Sequence, residues 1–295
     1  MSQPAEHGVI HDIGFRHYTG PRLGRGYLLR SLYAESLRGA YGLGRSGKSK
    51  VMPFLLLTTI TFPALIIAVV AIVTKADELP VAYTSYPMFA GLAISIFVAA
   101  QAPALVSRDL RFKVMPLYLS RPLTRNDYVL AKVGALISAL FILIAVPQTV
   151  LYVGALLAKL PFWAQTRGYL SSLVTAALLA AVLGGIGLLI ASITPKRGFG
   201  VAAVITVLLL LSAIAGALQA ITLDKGKPEL AGYLGGIDPG NLVDGVQVWL
   251  FNAEPASQIG PPGTLGGVVF LVLTFVVIFG CYGLLLLRYR KVSAS

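Results

Sequence analysis

The sequence predicts an all-α fold, a polytopic integral membrane protein, and three observations predict it. Of 295 residues, 56% are hydrophobic and only 12% charged, about half the roughly 25% of an ordinary soluble domain; mean hydropathy is +0.79. Six stretches carry no Asp, Glu, Lys or Arg: 51–74, 79–107, 133–158, 168–195, 198–223 and 255–287. Each is longer than the ~20 apolar residues a helix needs to cross a hydrocarbon core ~30 Å thick. Backbone groups in lipid must be satisfied within their own segment, so helices are the expected solution. Finally, Lys and Arg are unevenly shared between the connections. Eighteen fall on the side that holds both termini and five on the other, which orients a six-span chain with both termini in the cytoplasm.

The elements follow in order. Residues 1–25 contain three histidines, His7, His11 and His17, and no helical periodicity; they read as a solvated tail rather than a metal site. No apolar run resembling a cleavable signal occurs in the first 50 residues, so the N-terminus is expected to be retained. Over 26–41, Leu28, Leu29, Leu32, Tyr33, Leu37 and Ala40 occupy one half of a helical wheel, and Arg30, Ser31, Glu35 and Arg38 the other. Such a helix suits the inner membrane surface, or packing on its own protein, or both. Residues 1–50 thus form a cytoplasmic segment. The membrane domain, 51–295, has spans expected at about 52–73, 87–106, 129–157, 169–193, 199–222 and 265–287. The fourth ends in the small-residue run Gly184-Gly185-Ile186-Gly187, which permits close helix approach. Residues 223–264 are the one sizeable outer segment; IDPGNLVDGVQVWLFNA (237–253) reads either as a short helix at the outer face or as a plain loop.

Composition excludes several functions. The single cysteine, Cys281, lies in the last apolar stretch, so neither a disulfide framework nor a cysteine-based metal site is expected, and no other metal constellation or catalytic set appears. The formal charge of +12 is concentrated in short loops beside an anionic membrane, a membrane-surface rather than a nucleic-acid signature. No ionisable side chain lies in the middle of any span, unlike ion-coupled carriers. Gln101, Gln148 and Gln219 are the notable amides; Gln148, beside Pro147, is the deepest. It is a candidate substrate-path residue, though a packing hydrogen bond between helices is the favoured reading.

GLGRSGKS, 42–49, matches the P-loop pattern G-x-x-x-x-G-K-[ST]. A working P-loop joins a buried strand to a helix in a domain that also supplies an acidic magnesium partner. Here an amphipathic helix precedes the match and a membrane span follows, so it reads as a basic hinge. The chain is expected to have no ATPase site and no cofactor of its own.

The inner connection SRDLRFKVMPLYLSRPLTRNDYVLAK, 107–132, combines bases, acids, aromatics and two prolines. A loop that only fixes topology needs a few basic residues; this one suits a rigid knob presented to a cytoplasmic partner. It resembles the inner connection of the type-2 permease family of ATP-binding-cassette exporters, often E-x-x-x-G-T-x-x-x-L-L-x-x-P-x-S/T-R. Asp109 stands at the acidic position, Leu117 and Leu119 in the apolar stretch, Pro122 at the proline, Arg125 at the basic residue and Lys132 at the lysine. It departs in having Asp for Glu and Lys113-Val114 for Gly-Thr.

The resemblance implies a permease subunit in the plasma (inner) membrane. A second permease copy or relative would complete the route, and separate ABC ATP-binding subunits carrying ATP and Mg would dock beneath. It further implies a short coupling helix over 107–119, with Arg108, Asp109, Leu110, Arg111, Phe112, Lys113, Pro122 and Arg125 as contact residues. Residues 26–41, with Arg30, Tyr33, Glu35 and Arg38, would be the interface helix. Apolar span faces suit a hydrophobic or amphiphilic substrate. The alternative is a non-transporting membrane assembly or signalling protein.

Overall fold

A computed structural model describes residues 20, 23–112, 114, 117, 118, 120, 122–194, 196–257 and 259–292. Among them lie ten helices and no strand: α1 (Arg25–Ala40), α2 (Gly47–Thr74), α3 (Tyr86–Phe89), α4 (Gly91–Arg111), α5 (Arg125–Leu157), α6 (Phe162–Ile193), α7 (Arg197–Asp224), α8 (Pro228–Gly235), α9 (Pro239–Phe251) and α10 (Gly263–Val292). Six of them, α2, α4, α5, α6, α7 and α10, are long and apolar enough to cross a membrane. The architecture is that of a multi-pass membrane protein.

Burial divides the six into two classes. The most apolar windows of α4, α5 and α6 are 65, 50 and 56% buried, against 22, 17 and 22% for α2, α7 and α10. The first three form the centre and the others a sheath whose outward leucines, valines and phenylalanines suit lipid. Helix α6 holds the centre through its glycines. A methyl group at Gly184 would meet Ile137 and Leu140 of α5, one at Gly185 would meet Cys281 of α10, and one at Gly187 would meet Val98 and Ala102 of α4. The small-residue run thus lets one helix approach three neighbours.

Two ends can be told apart by their contacts. At the terminal end, α1, the C-terminus of α4, the N-terminus of α5 and the C-terminus of α10 converge. At the loop end, Tyr83 donates to Gln165 (2.7 Å) and Gln247 donates to the Thr84 carbonyl (3.2 Å). The Tyr86 hydroxyl donates to the Ile60 carbonyl in the same region.

Several expected boundaries move. The third span starts at Arg125 rather than near 129. Thr124 Oγ1 accepts from the Asp127 N–H (3.3 Å) and the Asp127 carboxylate accepts from the Thr124 N–H (2.8 Å), a reciprocal cap that starts the helix there. The fourth starts at Phe162 rather than 169, because Arg167 stands near a helix end and need not be desolvated. Residues 107–111 do not open a separate short helix: they are the last turn of α4. No Gly or Pro occurs between 104 and 111 to interrupt it. The rest of the expected coupling helix includes Lys113, Met115, Pro116 and Leu119, which lie outside the described residues.

Helix α1 lays Leu32, Ser36 and Ala40 against the bundle. Tyr33 donates to Ser138 Oγ (2.7 Å), and Tyr41, just past the helix, donates to the Ala139 carbonyl (2.7 Å). Its apolar face therefore packs on α5. The hinge that follows turns at Gly42 (φ +67°) and Gly44 (φ +79°). A methyl group at Gly42 would stand 2.3 Å from the Ser49 carbonyl oxygen, so the P-loop-like stretch is folded as a tight helix–turn–helix corner, with Lys48 and Ser49 in the first turn of α2.

Residues 237–253 are helical rather than a plain loop: α9 buries 242–247. Phe270 of α10 fills the space beside Gly245, and Trp249 that beside Gly267, so each helix receives an aromatic ring from the other. The Asp244 carboxylate accepts from Gln247 Nε2 (2.6 Å), Ala256 N–H (3.0 Å), Ser257 N–H (3.2 Å) and Ser257 Oγ (3.3 Å). Burial raises its carboxyl above the ordinary range, against the opposing pull of these donors.

Candidate partner-docking site at the terminal end

Three aromatic rings and two ion pairs organise the terminal end. Lys132 Nζ lies 3.0 Å from Asp109 Oδ2, with side-chain exposures of only 10 and 16%. Tyr128, fully buried, donates to the same Asp109 oxygen (2.6 Å). The Tyr128 ring also lies 5.5 Å from Tyr118 and 5.3 Å from Tyr289, and Lys132 Nζ is 5.5 Å from the Tyr128 ring centre. Tyr128 and Lys132 are four residues apart and so share one face of α5. They tie the end of α4 to α5, while Tyr289 brings in α10.

Beside this cluster, Arg25 grips the cap of α5. Its Nε and Nη2 donate to the two Asp127 carboxylate oxygens (2.7 and 2.8 Å), a bidentate arrangement that fixes direction as well as distance. The Asp127 hydrogen bonds and charge hold the Arg25 guanidinium above its ordinary value.

Against this scaffold, the expected contact residues divide into two sets. Asp109 faces inward, and Leu110 packs partly against the core. Phe112 (64% exposed) and Leu117 (69%) face outward, as do Arg111, Pro122 and Arg125. Arg111 stacks its guanidinium 5.7 Å from the Phe112 ring centre. The side chain of Arg108, like Lys113 as a whole, lies outside the described residues. Of the interface-helix residues, Arg30, Glu35 and Arg38 are exposed and Tyr33 is half-buried. A cavity of about 380 Å³ joins the two regions, lined by Glu35 and Arg45 on one side and by Phe112 and Leu117 on the other, with Asp109 and Lys132 at its floor.

Gln148 lies elsewhere, fully buried near the loop end. Its Nε2 donates to the Tyr83 carbonyl (3.3 Å), while its Oε1 has no partner among the described residues. This bond ties α5 to the segment before α3.

No family model matches this sequence, and no curated protein matches it.

Sequence reasoning missed the Asp109–Lys132 pair. The signal was available in Lys132, a lone cation one turn inside an apolar span, which must find an anion to be tolerated there. The outward position of Phe112 carried no such signal, since the same ring could have faced the core.

Proposed function

We propose that this chain is the permease subunit of an ATP-driven exporter of the type-2 ATP-binding-cassette class. Its terminal end faces the cytoplasm of a cell bounded by the plasma (inner) membrane. ATP hydrolysis on separate docked subunits would drive export of a hydrophobic or amphiphilic molecule, and a second permease copy or relative would complete the route. The observation that carries the reading is the exposed apolar knob of Phe112 and Leu117, with Arg111 stacked on the Phe112 ring and Pro122 and Arg125 exposed on the connection that follows, on a buried ionic base. Aromatic and arginine side chains are enriched in interface hot spots, and Phe112 with Arg111 supplies that pairing here. The base links the knob to α4, α5 and α10, so displacement of the knob by a partner is passed to three spanning helices. Driven transport requires an element with two positions biased from another chain, and in this reading the knob on its base is that element.

Asp109 acts in this reading as a positioning residue rather than as a contact. Glu35 of α1 lines the same cavity, and with Arg30 and Arg38, exposed on the same helix, it would steady the partner from the other side. The hinge at 42–49 contributes shape and not nucleotide chemistry.

The test is co-purification of the chain from its native membranes with any associated ATPase. Phe112→Ala with Leu117→Ala should lower the recovered ATPase at least tenfold, while Val153→Ala, exposed on the membrane face, should not. Equal recovery in all forms would refute docking at the knob.

A further inference from the structure

A second cavity, about 290 Å³, lies at the loop end among α4, α6, α7 and α9. Its walls are mainly apolar, with Leu179, Leu183, Leu208, Leu209 and Val243, and carry the hydroxyl residues Ser95, Thr175 and Ser212 between them. Leu92, Leu209 and Ser212 line it and are also exposed on the side of the bundle, so the cavity has a lateral mouth toward the surrounding lipid. Its polar end is formed by Asp238, Asp244 and Gln247.

That polar end is rich in acceptors and lacks a counter-charge. No Lys, Arg or His is among the described lining residues. Asp244 is held by amide and hydroxyl donors, all uncharged. Asp238 accepts from the Asn241 N–H at Oδ2 as the cap of α9 and from the Gly240 N–H, again uncharged donors. Gln247, 1% exposed, commits its Nε2 to Thr84 and Asp244, and its Oε1 finds no donor among the described residues. Buried acceptors without donors and carboxylates without a cation are both costly states. A ligand bearing an ammonium group would relieve both at once, with its apolar body between the leucines and out through the mouth. An anionic head group would meet two carboxylates and no cation.

We infer that this cavity binds an amphiphilic amine, a primary ammonium head on an apolar body, entering sideways from the membrane. Binding depends on this chain alone; the further step, that the bound amine is what the protein exports, rests on the exporter reading. The ammonium could belong to a free amphiphile or to an amine-headed lipid, and the experiment separates these sources.

The test uses the full chain in phosphatidylcholine nanodiscs. Three probes with the same tail and different heads, dodecylamine, dodecanol and dodecanoate, are titrated and bound stoichiometry is read by native mass spectrometry. Dodecylamine should saturate at one per chain, at least tenfold tighter than the other two. Asp238→Asn retains a good helix cap while removing the charge, and should reduce that preference about tenfold. Ser212→Trp, at the exposed mouth, should abolish saturable binding, whereas Leu210→Trp, exposed but outside the cavity lining, should not. Nanodiscs containing phosphatidylethanolamine identify the source: competition with dodecylamine assigns the site to the membrane's own amine lipid, and undiminished binding assigns it to free amphiphiles. Equal binding of all three probes, or binding insensitive to both Asp238→Asn and Ser212→Trp, would overturn the inference. Saturable amine binding without any associated ATPase would leave the site standing and remove the exporter reading; ATPase association without amine binding would do the reverse.

Discussion

Removing Lys132 should do more harm than removing the far more exposed cations around it. At 3.0 Å from Asp109, two unit charges attract by ~5.5 kcal/mol at an effective dielectric of ~20. Desolvation takes back much of this, because the two side chains are only 10 and 16% exposed. Losing one partner strands the other, which costs ~3–5 kcal/mol in buried pairs; the residual exposure argues for the lower end, ~3 kcal/mol. Lys132→Met keeps the stem and deletes the charge. Asp109→Asn keeps an acceptor for the Tyr128 hydroxyl. Each single change should lower Tm in detergent by roughly 6–12 °C, at ~2–4 °C per kcal/mol. The double change should cost about 2 kcal/mol less than the sum, since no lone charge remains. Thermal unfolding followed by Trp fluorescence supplies all four values. Singles within ~0.5 kcal/mol of the parent, or strict additivity, would refute the pair as the fastener of α4 to α5.

Gly42→Ala, strained by its φ of +67° and by a carbonyl 2.3 Å from the new methyl, should cost about 2–4 kcal/mol. Gly44→Ala has a φ of +79° but open space, so it should cost only about 1 kcal/mol; the same unfolding assay compares them. Gly267→Leu should expel the Trp249 ring from its place on α10 and appear as a red-shifted Trp emission with faster proteolysis of the loop end. Asp238 and Asp244 both have carboxyls raised by burial. Their contribution to stability is therefore greatest below the ordinary carboxylate range and is lost as pH rises through their raised values. Asp238→Asn should flatten that fall in a Tm-versus-pH series, and an unchanged slope would count against the burial effect.

What the sequence disclosed depends on which forces act locally. Charge-free runs and the distribution of Lys and Arg locate six spans because the membrane acts on every residue of a span alike. Span ends were less legible: Phe162 precedes Arg167 by a full turn, since a cation near a helix end can reach water. The glycines at 184, 185 and 187 signalled close packing but not that each faces a different helix, which depends on neighbours distant in sequence. For the same reason the inward turn of Asp109 was hidden. Its partners, Tyr128 and Lys132, lie across a loop, and the mixed bases and acids of 107–132 suggested a knob presented to a partner. The letters of the hinge at 42–49 are those of a nucleotide loop; the helices on either side of it are what favour reading it as a corner.

The most direct test of the central claim, that energy is supplied by another molecule clasped at the terminal end, is nucleotide turnover by the purified chain before and after its native ATPase is added back. The chain alone should release no phosphate above a heat-inactivated control, and turnover by the added ATPase should respond to the chain and lose that response with Phe112→Ala and Leu117→Ala. Turnover by the isolated chain that disappears with Lys48→Ala would contradict the claim outright.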